Sequence, residues 1–275
     1  MSDIMGIGNI LAFIFGAAVG SFLNVCIYRM PLGESVVWPG SHCPNCKKRI
    51  PARYNIPFIS YIMLKGKCRL CKQPISFIYF LVELITALMF VVLFNVFGLT
   101  YDFFIYILLI CILIVATFVD IKHRIIPDEI SVGGLIIGLI LSAIKGITLE
   151  PAFKYNGKFI VDSLLGVIIG GGIIYLTGWL FDLVYFKLLK KPPIQGETES
   201  MGGGDVKLLG MIGAFLGWQK AILVFLLAPF LGLVFGLINM ITKKDHTIAY
   251  GPFLSLGAIL ALFWADKIIA LFIIR

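Results

Sequence analysis

Eight runs of apolar side chains divide this chain, at about 6–28, 77–97, 102–121, 130–146, 160–185, 206–218, 221–241 and 253–273. A helix of roughly 20 apolar residues crosses a hydrocarbon core about 30 Å thick. Most of the runs reach that length. They are continuous rather than alternating, which excludes a closed barrel of strands. Hydrophobic residues make up 60% of the chain, more than a water-soluble core can use. The sequence predicts an all-α polytopic membrane protein with about eight transmembrane helices.

The sixth run is the short one. Val206 to Trp218 supplies 13 residues, about 20 Å of helix. Such a helix is expected to begin below the membrane surface and to sink Asp205 into a water-filled cavity, where irregular backbone is tolerated. A single helix from 206 to 241 would absorb the run, but Trp218-Gln219-Lys220 argues for a turn.

The net charge of +8 does not call for a nucleic-acid partner, because basic loops set the orientation of membrane proteins. About 17 of the 23 Lys and Arg fall in loops 29–76, 122–129, 186–205 and 242–252, with Lys207 at an edge. Those loops are expected on the cytoplasmic side and both termini outside. No Lys or Arg precedes the first run, so no cleavable secretory signal is expected. The resulting division is a first span at 1–28, a cytoplasmic cysteine-bearing loop domain at 29–76 and a transmembrane core at 77–275.

The loop domain carries Cys43-Pro44-Asn45-Cys46 and Cys68-Arg69-Leu70-Cys71, two C-x-x-C pairs with 21 residues between them. That spacing points to a closed four-thiolate zinc site on Cys43, Cys46, Cys68 and Cys71, structural rather than catalytic. Two disulfides, redox chemistry and unpaired thiols are the alternatives, and a reducing cytoplasmic side favours metal. Neighbouring Lys47, Lys48, Arg49, Arg53, Lys65, Lys67 and Arg69 would offset the thiolate charge. His42 could compete as a ligand, though four cysteines suffice. Cys26 and Cys111 lie in apolar runs and read as buried hydrophobes.

Two carboxylates stand at the ends of apolar runs on the same expected face. Asp120 closes Ile110–Val119, and Asp205 opens the sixth run after Gly202-Gly203-Gly204. Glycines allow another backbone to approach closely. Asp205 can be read as a helix cap, and Asp120 as an interfacial charge paired with Lys122 or Arg124. Asp128, with Glu129 after it, reads as the N-cap of the fourth span. His123 could serve as a base but reads as a surface histidine near lipid headgroups, and His246 has no role. Brought together, Asp120 and Asp205 would share one proton, because neighbouring carboxylates cannot both ionise easily. The ionised member would activate water and the protonated member would donate to a carbonyl oxygen. Loop 186–205, with Lys187, Lys190, Lys191, Pro192, Pro193, Glu197 and Glu199, reads as a solvated linker or as a substrate gate beside Asp205.

These motifs resemble the type IV prepilin peptidases, membrane aspartic proteases of the G-x-G-D kind. The resemblance covers nearly the whole chain. It rests on Gly20-Ser21-Phe22-Leu23-Asn24-Val25 with Tyr28-Arg29-Met30-Pro31, and on the cysteine pairs with Asn55-Ile56-Pro57 and Ser60-Tyr61 between them. Further along it rests on Asp120 with Ile126-Pro127-Asp128, on Glu199, Met201, Gly202, Gly204, Asp205 and Lys207, and on Gly251-Pro252-Phe253 with Ser255-Leu256-Gly257. It implies that Asp120 and Asp205 are the catalytic pair and that the chain lies in a bacterial inner membrane with its active site facing the cytoplasm. The implied substrates are prepilins and pseudopilins, cut after a glycine of a basic leader. It also implies methylation of the new N-terminal amine from S-adenosylmethionine. No G-x-G-x-x-G follows a strand, and Gly170-Gly171-Gly172 reads as a close helix contact. A methyl donor would need a nonstandard site, expected where the cysteine loop joins the first span. The alternatives are a peptidase without methylation, and a zinc-stabilised transporter or scaffold using the two Asp for protons.

Overall fold

The computed structural model describes residues 2–149, 157–190, 192, 201–242 and 249–273. In chain order the helices are α1 (Ser2–Arg29), the short α2 (Ile59–Met63), α3 (Phe77–Phe97), α4 (Tyr101–His123), α5 (Asp128–Leu149), α6 (Lys158–Asp182), α7 (Gly203–Leu216), α8 (Trp218–Thr242) and α9 (Gly251–Ile273). Among the described residues there is no strand beyond two isolated bridges. Among the described residues seven helices, all but α2 and α7, are long and apolar enough to cross a membrane. Their outward faces carry large apolar side chains, Phe15, Ile168 and Phe230 being about two-thirds or more exposed. Such faces need lipid.

The chain divides into two units, Met1–Val119 and Asp120–Arg275. In the first, α1 runs antiparallel to α3 along a stripe of small residues. A Cβ added at Gly16 would lie 2.8 Å from the Ala87 backbone, and one at Gly20 2.8 Å from the Glu83 backbone. Asn24, one turn on, donates its side-chain N–H to the Tyr79 carbonyl at 2.9 Å. Spacings of four keep Gly16, Gly20 and Asn24 on one face of α1. Phe94 against Phe103 and Phe97 against Tyr106 join α3 to the start of α4, with ring centroids 6.1 and 4.9 Å apart.

In the second unit α7 is the buried element. Leu208, Leu209, Met211 and Ile212 are fully buried. Its partner α6 meets it through glycine. A Cβ on Gly166 would overlap the backbone of Gly213, and a Cβ on Gly213 that of Gly166. A Cβ on Gly170 would lie 2.7 Å from the Leu209 carbonyl oxygen, and one on Gly171 3.4 Å from that of Val206. The expected close helix contact is therefore made by Gly170 and Gly171, whereas Gly172 meets nothing within 4 Å. Ser163 adds a side-chain hydrogen bond to the Ala214 carbonyl.

The 14 residues of α7 give about 21 Å of helix, short of a full crossing. The run does not merge with α8. Gly217 has φ +81, and α8 starts afresh at Trp218. A left-handed φ is what glycine supplies without steric cost.

Candidate active site and four-cysteine centre

The end of α4 and the starts of α5, α7 and α9 meet at one end of the second unit. Asp120, in the last turn of α4, is 6% exposed. Its Oδ2 accepts the backbone N–H of Gly251, the first residue of α9, at 2.9 Å. A helix start offers free N–H groups and partial positive charge, so a carboxylate is stabilised there. Gly251 has no room for a side chain, since a Cβ would come 2.7 Å from that same oxygen. The hydrogen bond seen for Asp120 is thus to α9, while Arg124, one of the basic residues expected from sequence, acts on the carboxylate through its charge.

Asp205 is the third residue of α7 and half-buried. It is not the cap. Gly202 holds that position in extended conformation, and the Asp205 N–H closes the first turn on the Gly202 carbonyl at 3.0 Å. Gly203 and Gly204 occupy the first two helical positions, which carries the carboxylate inside the first turn. Burial, followed by the charge of Asp120, pushes the Asp205 carboxyl up to about 7. The two acids the sequence singles out therefore feel each other across 85 residues of chain. Burial and then the Asp205 charge also raise the Tyr250 hydroxyl, to about 12.

Ile126 wedges between the two helix starts. A Cβ on Gly204 would lie 3.2 Å from the Ile126 Cβ, and one on Gly251 3.3 Å from its Cδ1. Asp128 does not act as the expected cap. The Pro127 carbonyl accepts the N–H groups of Ile130 and Ser131, both at 3.1 Å, which makes Asp128 the first helical residue. Its Oδ1 instead receives the Lys207 ammonium at 2.6 Å. Both side chains are well exposed, so the pair adds little stability, but it ties the start of α5 to the first turn of α7. His123 differs from the expected headgroup histidine. It is half-buried, and its Nε2 is buried with no hydrogen-bond partner among the described residues. It lies one turn beyond buried Asp120, on the same side of α4. Glu197, Glu199, Lys191, Pro193 and His246, including most of the gate segment, lie outside the described residues.

In the first unit the four cysteines converge. The sulfurs of Cys43, Cys46, Cys68 and Cys71 lie within 4.8 Å of one another, and Cys43 and Cys71 are 3.9 Å apart. Sulfurs on one tetrahedral zinc at about 2.3 Å would be about 3.8 Å apart, so the set fits such an ion. Each pair sits on the same turn. Cys43 N–H donates to Lys48 O and Lys47 N–H to Cys43 O, just as Cys68 N–H donates to Gln73 O and Lys72 N–H to Cys68 O. Lys47 and Lys72 both take positive φ, +57 and +60, and bridges His42–Arg49 and Lys67–Pro74 close both turns. The two halves repeat with an offset of 25 residues, which cysteine spacing alone only hints at. Hydrogen bonding from the Cys71 backbone N–H is the main cause that holds the Cys68 thiol down to about 7. His42 is engaged elsewhere, its Nδ1 3.2 Å from both an Arg29 nitrogen and the Gly40 carbonyl. Cys26 and Cys111 are buried in helices, as expected.

Sequence reading missed the partnership of Asp120 with Gly251. The Gly251-Pro252 pair was its signal, since proline early in a helix after glycine marks a helix start.

Comparison with known proteins bears on the family. Residues 14–97 match the bacterial Peptidase A24 N-terminal domain, and residues 107–237 match the type IV leader peptidase family. The prepilin leader peptidase/N-methyltransferase of Aeromonas salmonicida is 32% identical over 286 residues, covering 94% of this chain and 91% of the relative. The proteins of the same name from Legionella pneumophila and Stutzerimonas stutzeri are 32% and 33% identical, covering 93% and 94% of this chain and 91% of each relative. No solved structure matches the chain. With relatives of this identity aligned over nearly their whole length, and both acids and all four cysteines inside the matched segments, the chain belongs to the type IV leader peptidase family.

Proposed function

We propose that this protein cleaves the leader peptide of type IV prepilins and pseudopilins and methylates the new N-terminal amine. Asp120 and Asp205 form the catalytic pair. The observation that carries the reading is geometric: Ile126 packs against both Gly204, next to Asp205, and Gly251, whose N–H holds Asp120, so both acids stand at one meeting point of helix starts. At neutral pH the pair holds one proton between two carboxylates. The ionised carboxylate takes a proton from water as the water oxygen attacks the scissile carbonyl. The protonated one gives its proton to the carbonyl oxygen. Collapse of the tetrahedral species breaks the C–N bond, and the proton moves to the leaving amine. The backbone N–H of Gly251 fixes Asp120 from behind and leaves its other oxygen for the water.

The four cysteines would hold a structural zinc ion, which supplies folding energy to the loop and no catalysis. The methyl group comes from S-adenosylmethionine. The basic loops support an inner-membrane setting with the pair facing the cytoplasm. The proton-relay alternative is not favoured, since the relatives in the family carry peptidase names.

Co-expression with a prepilin, followed by mass spectrometry of the product, tests both halves. A leader lost after glycine together with one added methyl is the expected result. An uncut prepilin would refute the reading.

A pH profile follows from the raised carboxyl. Asp205 is protonated below about 7, and the working pair needs one proton. Cleavage should therefore fall as pH rises through about 7, when the second carboxylate ionises, and fall again in acid, when both are protonated. The limb belongs to the coupled pair rather than to one residue. A rate that stays level well above neutrality would remove the shared proton from the mechanism.

A further inference from the structure

The first unit holds a buried acid that peptide hydrolysis does not use. Glu83 lies two turns into α3 and is 8% exposed. An ionisable group within a membrane-spanning helix is costly to keep and points to function by default. Among the described residues it has no cationic partner. The buried cation of the same unit, Arg29, is committed elsewhere. Its guanidinium donates to the Ser35 carbonyl at 2.9 Å and to the Gly40 carbonyl at 3.2 Å, and lies against His42.

What meets Glu83 is a strained backbone. Its Oε2 accepts the N–H of Phe58 at 2.9 Å. Phe58 has φ 59 and ψ −53, and the Ile59 N–H closes on the Pro57 carbonyl at 2.6 Å. This is a γ-turn of the rare positive-φ kind on a bulky residue, a conformation kept only where surroundings over-determine it. The Phe58 ring is held by Phe13 at 5.6 Å and Phe80 at 5.4 Å. From the other side α1 packs Gly20 so closely that an added Cβ would lie 2.8 Å from the Glu83 Cα, and it presents the Ser21 hydroxyl, which faces the same carboxylate. The result is a buried corner built around one carboxylate with no counter-charge among the described residues.

We infer that the missing cation is the N-terminal ammonium of the cleaved product, and that Glu83 is the base for its methylation. This rests on the methyl-transfer half of the function proposed above. Glu83 takes one proton from the ammonium, leaving a free amine with its lone pair. That lone pair attacks the methyl carbon of a sulfonium donor. An N–C bond forms and the C–S bond breaks, and its electron pair stays on sulfur as a neutral thioether. The product is a methylated ammonium, and the proton on Glu83 passes to water.

The full-length enzyme in detergent, given a prepilin and S-adenosylmethionine, is scored for cutting and methylation in the same sample. Wild type is scored first. If it cuts without methylating, the reading beneath this inference fails and takes the inference with it. Glu83→Gln keeps an oxygen for the Phe58 N–H but cannot act as a base. It should still cut while methylation falls about a hundredfold or more, the usual worth of a general base. What methylation remains should rise with pH, as solvent frees the amine. Glu83→Asp keeps the carboxylate but is too short for the Phe58 contact. The inference expects it to methylate better than Glu83→Gln, whereas a purely structural clamp expects the reverse. Normal methylation by Glu83→Gln, or loss of cutting and methylation together in both variants, would overturn the assignment.

Discussion

Asp120→Asn and Asp205→Asn, each made alone, abolish leader cleavage, a loss of about 10³-fold or more, while the protein still inserts and folds. The size follows from the division of labour. One carboxylate must be ionised to activate water and the other protonated to polarise the carbonyl, and an amide can do neither. Folding should survive for a different reason at each position. At Asp120 the contact to preserve is one accepted hydrogen bond from Gly251, and the asparagine oxygen can accept it. At Asp205 burial already opposes the charged form, so a neutral side chain relieves a cost. Because the two act as a unit, the double variant should be no worse than either single one. Cleavage in detergent with melting as the control reads this directly. Near-normal cutting by either single variant removes that residue from the pair.

The second large effect concerns the cysteine centre. Purified protein should carry about one zinc per chain, as a closed four-thiolate site requires. Cys43→Ser or Cys68→Ser should take that content to nearly none and open the loop between α1 and α3 to proteases. The loop has little else to hold it. From 29 to 76 it contains nine Lys and Arg against one Glu, and most of its side chains are exposed or half-exposed. Without an ion the basic charges repel and the aromatic contacts of Phe58 and Tyr61 with the helices hold only one part of the loop, so metal binding and folding of the cysteine turns are one event. Elemental analysis and limited proteolysis measure the two ends of the claim. A metal-free protein with free thiols and an intact, protease-resistant loop would contradict it.

Much of this was legible because it is local. An apolar run of 21 residues such as Phe77–Phe97 states its own conformation, and two C-x-x-C pairs state their chemistry. Asp120 and Asp205 were visible because each is a charge at the end of an apolar run. What stayed hidden depends on contacts remote in sequence. The N–H that holds Asp120 lies 131 residues away. Asp128 looked like a cap because only its own helix was in view, whereas Lys207, 79 residues on, draws its side chain away. The sequence reading passed over Glu83, although a lone acid in that apolar run was signal enough. The γ-turn at Phe58 could not be foreseen, since no local preference puts phenylalanine at positive φ.

The seam between α6 and α7 has a consequence for how such a protein can change over time. Where main chain lies on main chain there are no rotamers to readjust, so the height at which Asp205 is offered cannot drift by small side-chain swaps. Every added methyl at Gly166 or Gly213 collides at once. Loops can lengthen and lipid-facing residues can be exchanged without touching this seam, but a larger residue at either glycine would push the two helices apart.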